Sequence, residues 1–507
     1  MNHTRGQSLI ALFMLFFSGL AEASVADFQQ AVSQLLPWDG QRFASLADGQ
    51  TVYGKFFILR MYQENAGKPL WSPAATASLA RAIASLDEDG LNPDDYRFSD
   101  IRPNLQQPQQ LPTSPLAAAT ADILLTEAYL RALYNLYYGK TDPEQLDPHD
   151  NFGRDRDGKD RSALLLTWVK AARIEDAFAW ARPKNARYYW MRKALQEYQR
   201  IQAAGGWPQI PAGKTVEPGQ KDRRIPLLRK RLAITDDLPS AKGPARLDDK
   251  LLDGILRFQE RHYLSETGAL DPETLEALNV PVEQRIDQIR VNLERQRWLF
   301  PVNSPEYLLV DIAGFTAFWV SGEEIIWQEQ VQVGRKYTQT PVFKDHIRHI
   351  DFHPDWSATP GHERLHSQIR FLFPNRHGVF LHAADHMEML TQRSRTTTPD
   401  GCIRISRPEE LAVLLLQHEG WGDEPILETL EAKEPTKVEL KKPLPILIHY
   451  STAWATDAGV TFKPDVYNRD PALLAALNGP FIFHKKDLER DSPKSNYNNP
   501  VVTTQVD

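Results

Sequence analysis

Near residue 300 of this 507-residue chain the hydrophobic period changes, so no single repeating architecture accommodates both halves. Upstream, apolar residues recur at helical spacing. Residues 117–138 place Ile123, Leu130, Leu133, Tyr134 and Tyr137 on one face and stop at Gly139, and residues 185–204 repeat this with Tyr188, Met191, Leu195 and Tyr198 before Gly205-Gly206. A second helical module follows, with Leu251, Leu252, Ile255, Leu256 and Phe258 ahead of a polar turn and Thr274, Leu275 and Leu278 after it. Downstream the period is two: Thr316, Phe318 and Val320 alternate up to Ser321-Gly322, Ile325 and Trp327 resume, and Val331 and Val333 lead to Gly334. Strand signals recur at 349–352, 379–382 and 445–448, around a helix at 408–417.

The expected fold class is multidomain α+β. A helical region spans 24–222 and ends in the Pro/Gly-rich connector 207–222; a small helical module spans 223–280; a charged linker helix spans 281–304, its charges expected to form a solvated face. A mostly-β domain follows at 305–455, then an extension at 456–507 whose last residues, from 485, read as a loose polar tail.

With 59 Lys+Arg against 66 Asp+Glu the net charge is −7, which argues against a nucleic-acid backbone or an anionic membrane surface as the main partner. The single cysteine, Cys402, excludes an intrachain disulfide and any Cys-based zinc or iron–sulfur site. Arg5, the apolar run 9–17 and the small-residue pattern Ala21-Glu22-Ala23 predict a secretory signal at 1–23, hence export to the periplasm, with no stable membrane span after cleavage.

Cys402 sits in Thr398-Pro399-Asp400-Gly401-Cys402-Ile403-Arg404. A glycine directly before a cysteine permits a turn that presents the thiol and leaves neighbouring N–H groups for a developing oxyanion. Arg404 supplies positive charge and can hold a substrate carboxylate. Twenty residues upstream, His382 ends an apolar strand and reaches Cys402 if the intervening loop folds back; Cys plus His is the minimal pair for covalent acyl transfer. A competing constellation, His362-Glu363-Arg364-Leu365-His366, has the H-E-x-x-H spacing of a zinc peptidase, but lacks the long apolar helix and an evident third ligand, so neither metal nor cofactor is expected. His262 and the aromatic positions of the small module read as core rather than as ligand contacts.

The runs Phe371-Leu372-Phe373-Pro374-Asn375, Val379-Phe380-Leu381-His382 and Gly401-Cys402-Ile403-Arg404, preceded by Val333-Gly334-Arg335 and Gln339-Thr340-Pro341-Val342-Phe343, resemble the YkuD-type L,D-transpeptidase signature. Residues 250–279 are similar to a three-helix peptidoglycan-binding module, and Gly139-Lys140-Thr141-Asp142-Pro143 with 203–208 resembles the scaffold domain of the large Gram-negative subfamily. The resemblance implies a periplasmic enzyme that forms 3→3 cross-links: Cys402 as nucleophile on a tetrapeptide stem, His382 as general base and acid, oriented by a backbone carbonyl such as that of Ala383, and N–H groups around Gly401 as oxyanion hole. Arg404 would position substrate, a second stem would supply the acceptor amine, and carbapenem β-lactams would acylate the same cysteine. Two departures stand out. Pro399-Asp400 replaces the usual Ser/Thr-His/Ser pair and sets a carboxylate beside the thiol, and only 357–368 stands where an extended lid is expected, implying a more open cleft. The alternatives are a hydrolytic L,D-carboxypeptidase or amidase on the same fold, a non-catalytic peptidoglycan binder and, last, the zinc peptidase.

Overall fold

The protein is described here from a computed structural model at residues 25–39, 41, 43–46, 49–107, 112, 114–147, 152, 159–299, 304–322, 324–358, 367–384, 397–398, 401–432 and 434–484. The signal at 1–23, the His362–His366 segment, Pro399-Asp400 and the tail from 485 lie outside the described residues. Two compact units emerge. One comprises the chain up to Thr141, 155–183 and a return at 478–486; the other contains 142–154 and 184–477.

The first unit is built on helices α1 (Lys55–Glu64), α2 (Pro73–Ala84), α3 (Pro115–Tyr138), α4 (Ser162–Lys170) and α5 (Ile174–Ala181). Helix α3 realises the periodic run at 117–138 and ends where Gly139 takes φ 93°. Asp122, fully buried like Glu127 on the same helix, accepts hydrogen bonds from Tyr62 Oη (2.8 Å) and from the backbone N–H groups of Leu70 (2.9 Å) and Trp71 (3.1 Å), tying α1 and the segment leading into α2 to α3. Burial raises its pKa to about 6 despite those donors. Within the extension expected from 456, Phe481 and Phe483 pack on Tyr53 and Tyr134 inside this unit, and the expected boundary at 455 falls inside a strand.

In the second unit α6 (Ala186–Ala203) follows the predicted 185–204 helix, capped by the Asn185 side chain on Tyr188 N (2.8 Å). Helices α7 (Ile225–Ile234), α8 (Asp249–Arg261) and α9 (Pro272–Asn279) form the three-helix module around Leu228, Leu251, Ile255, Phe258 and Leu278. Part of the supposed connector belongs to this module, since Ile210 and Val216 lie in its core and Val216 exchanges backbone hydrogen bonds with Leu270. Helix α10 (Val282–Leu299) departs from the solvated face expected of it. Arg297 and Glu294 are fully buried as an ion pair at 2.6 Å, with Arg297 Nη1 donating to Tyr188 Oη (2.8 Å). The pair is tolerated because the remaining charge is met by a further hydrogen bond rather than left bare.

The β domain is a nine-stranded mixed sheet: β1 (Glu306–Asp311), β2 (Thr316–Ser321), β3 (Glu324–Gly334), β4 (Phe343–Phe352), β5 (Ile369–Leu372), β6 (Leu381–Ala383), β7 (Thr397–Thr398), β8 (Ile403–Ile405) and β9 (Thr436–His449). The meander predicted from Thr316 to Gly334 is β2 and β3, turning at Gly322 with φ 62°, and β1 pairs with β2 ahead of it. Spatial order is β8-β6-β5-β4-β9-β1-β2-β3-β7, and β8 also pairs antiparallel with β3, so the sheet closes on itself. Pairings β9–β1 and β8–β6 are parallel, which adjacent-strand reading does not supply. Leu308, Val310, Ile350, Phe371, Ile403, Ile446 and Ile448 line the core, with Leu411, Leu415 and Leu416 of α11 (Pro408–His418) against them. A hairpin, β10 (Ala453–Thr456) with β11 (Gly459–Phe462), and helices α12 (Asp423–Glu431) and α13 (Asp470–Leu477) complete the unit.

Candidate active site

The predicted site residues converge on the β6–β8 pair. Parallel register sets Arg404 opposite His382, and Cys402 lies directly before β8, one residue ahead of the Ile403–Leu381 pair. His382 is fully buried, and its Nδ1 lies 2.8 Å from the Ala383 carbonyl, the orienting contact expected of it. A ring nitrogen so held donates its proton to the carbonyl, which leaves Nε2 as the basic nitrogen. The Trp356 ring meets the imidazole edge-on at 5.4 Å between centroids, and Arg370, paired with Asp351 at 2.7 Å, lies over that indole at 4.8 Å.

Cys402 is likewise fully buried, with Sγ 4.0 Å from the Gly378 carbonyl. Asn375 shapes the loop bearing that carbonyl: its amide donates to the carbonyls of Phe373 (3.0 Å) and Val379 (2.8 Å) and accepts from the N–H groups of His377 and Val379. Asn375 was visible only as part of a motif; its donor and acceptor reach across four residues is the signal that marks it as a loop clamp.

Gly401 has φ 76°, a left-handed backbone that a side chain would strain, and this turn places Cys402. It packs against a second glycine. A Cβ on Gly334 would fall 2.9 Å from Gly401 Cα, 2.8 Å from Thr340 N and 2.0 Å from the Thr338 carbonyl oxygen, so only glycine permits the approach. Thr340 Oγ1 joins the two, accepting from Gly334 N (2.8 Å) and donating to the Gly401 carbonyl (2.9 Å). Tyr467 extends the network. Its hydroxyl donates to the Gly334 carbonyl (2.7 Å) and accepts from Thr340 N (3.2 Å), while its N–H donates to Tyr450 Oη, which donates to Asp465 (2.6 Å). Burial first, then the adjacent Asp465 carboxylate, holds the Tyr450 phenol protonated far above its usual range. Sequence reasoning missed Thr340 and Tyr467 as supports, because no local pattern links them to Gly401.

Four residues, Cys402, His382, Gly401 and Arg404, therefore meet in one place: a thiol, a positioned imidazole, a strained turn and a half-buried guanidinium. Among the described residues no three His, Cys, Asp or Glu side chains gather as metal ligands. Nor, among them, is any helix long and apolar enough to cross a membrane.

Comparison with known families agrees with this geometry. The profile of the L,D-transpeptidase catalytic domain matches residues 305–438, and that of the scaffold domain matches residues 57–195. Residues 305–438 thus form an L,D-transpeptidase catalytic domain of the YkuD type. This domain follows a scaffold domain, the arrangement expected of the large subfamily. A candidate L,D-transpeptidase of Haemophilus influenzae is 26% identical over 121 residues, and the match spans 24% of this chain and 24% of that protein. Among solved structures, an L,D-transpeptidase from Stackebrandtia nassauensis is 14% identical, covering 48% of this chain and 97% of its own with a TM-score of 0.25. L,D-transpeptidase 1 of Mycobacterium tuberculosis is 15% identical, covering 28% and 62% with a TM-score of 0.16. Superpositions this loose add nothing to the assignment.

Proposed function

We propose that the protein is a periplasmic peptidoglycan transpeptidase that forms 3→3 cross-links through an acyl-enzyme on Cys402. The observation that supports this reading is that Cys402 directly precedes β8, which pairs in parallel with the strand carrying His382, whose imidazole is held by the Ala383 carbonyl. His382 Nε2 takes the thiol proton as Sγ attacks the carbonyl between the third residue and the terminal D-Ala of a tetrapeptide stem. The proton passes to the departing D-Ala amine and leaves a thioester. The side-chain amine of a second stem then attacks, the thioester C–S bond breaks, and the amine's proton returns through His382 to the sulfur. Backbone N–H groups at the Gly401–Cys402 turn meet the oxyanion in both steps, and Arg404 holds a substrate carboxylate.

Intact-mass measurement after incubation with a carbapenem tests the nucleophile: one adduct on the wild type and none on Cys402→Ala is the expected result. An adduct that persists in Cys402→Ala, or no adduct on the wild type under conditions that label a known relative, overturns it. Product analysis on tetrapeptide muropeptides separates cross-linking, which yields dimers, from hydrolysis, which yields free tripeptides.

A further inference from the structure

Next to Cys402 stands a turn whose tip does nothing for the fold. Residues 335–338 join β3 to the approach of β4, closed by Thr338 N donating to the Arg335 carbonyl (3.0 Å). Its base is fixed from several sides. Gln339 donates through Nε2 to the Lys336 carbonyl (3.1 Å), its Oε1 accepts from Arg469 (2.9 and 3.2 Å), and Gly334 and Thr340 are tied to Tyr467 and Gly401 as described. The Thr338 and Gln339 carbonyl oxygens lie 3.5 and 3.4 Å from where a Gly401 Cβ would be, so the turn forms a wall beside the nucleophile's own turn. At its tip Tyr337 is 95% exposed, whereas the next most exposed large hydrophobic residue described, Leu427, is at 55%. Arg335 and Lys336 beside it are also exposed.

A tyrosine ring wholly in water on a rigid support loses little freedom on binding, which is what a preorganised contact requires. Its flat face carries a negative quadrupole, complementary to the partly positive C–H hydrogens on one face of a pyranose. The two flanking cations suit the carboxylates that a stem peptide brings beside its sugar. We propose that Tyr337 is a specificity-determining contact for the glycan that bears the stem peptide: the ring stacks on a sugar while that sugar's stem enters beside Cys402. This rests on the peptidoglycan reading above and narrows it, since the site would then select stems attached to glycan over free peptides.

The test compares a disaccharide-tetrapeptide with the same tetrapeptide lacking sugar. Equilibrium binding is measured on Cys402→Ala protein with and without Tyr337→Ala, and turnover on the Tyr337→Ala enzyme. The expected result is affinity lower by about threefold to tenfold, seen also as a higher KM with kcat kept, for the glycan-bearing ligand only, with Tyr337→Trp restoring it. Equal loss on both ligands, no loss on either, or no measurable binding of the disaccharide-tetrapeptide overturns the proposal, as does failure of Tyr337→Trp to rescue. Because binding is read without turnover, an inactive Cys402 would defeat the acyl-enzyme reading while leaving this result to stand or fall alone.

Discussion

His262 and His382 look alike in isolation. Each is almost fully withdrawn from water, and each has Nδ1 2.8 Å from a backbone carbonyl. Their surroundings differ entirely. His262 closes helix α8, contacts the Phe258 carbonyl one turn back, and stacks on the Phe258 ring at 3.8 Å and on Phe462 at 5.5 Å. Burial, then the guanidinium groups of Arg261, Arg285 and Arg231, pushes its pKa well down, so it stays neutral and is shut off from proton exchange. His382 sits in a three-residue strand, meets a tryptophan by its edge, and pairs in parallel with the strand that Cys402 leads into. Burial and a carbonyl contact define a held ring; what lies beyond its other nitrogen decides whether it packs or reacts.

Substitution should separate the two. His382→Gln is expected to slow carbapenem acylation of Cys402 by about 10²- to 10⁴-fold, the usual worth of a positioned base, while unfolding temperature moves little. His262→Gln should leave that rate unchanged; a rate loss at His262 matching that at His382 would erase the distinction. Next in size, His262→Ala removes a stacked ring from a packed core and should cost about 2–3 kcal/mol in denaturant unfolding, with the acylation rate per folded molecule preserved. Gly401→Ala is expected to cost about 1–2 kcal/mol through its left-handed backbone and to slow acylation, because the strain falls on the turn that carries the thiol. If Gly401→Ala acylates at the wild-type rate, the turn's geometry is not what positions Cys402.

A further effect concerns a buried polar group far in sequence from the cysteine. Asp122 binds its proton up to about pH 6 when folded, against an ordinary aspartate value of 3.8. The folded state therefore holds more protons between those values, and this group's contribution to stability falls as pH rises through that window and is fully lost above it. Asp122→Asn should flatten that part of the stability profile, read as melting temperature against pH. An unchanged slope would assign the pH dependence elsewhere.

Much of this was legible in the sequence. The helices at 117–138 and 185–204 and the meander ending at Gly334 follow from period and glycine stops, and Gly401, Cys402 and His382 stand out because glycine, thiol and imidazole have distinct chemistry. What stayed hidden depends on partners remote in sequence. Thr340 reaches Gly401 across 61 residues and Tyr467 reaches Gly334 across 133, so neither leaves a periodic trace. Charge misled at α10, where Arg297 and Glu294 carry each other into the interior, and proline and glycine content misled at 207–222, where Ile210 and Val216 anchor the segment in a core.

The contact between Gly334 and Gly401 also bears on how the chain folds. It joins the end of one strand to the start of another that adds to the sheet only when β8 docks on both β6 and β3. Contacts between segments so far apart pay loop-closure entropy and form late. Topology thus predicts late assembly of the site, and any state that lacks this contact carries a cysteine without the turn that places it.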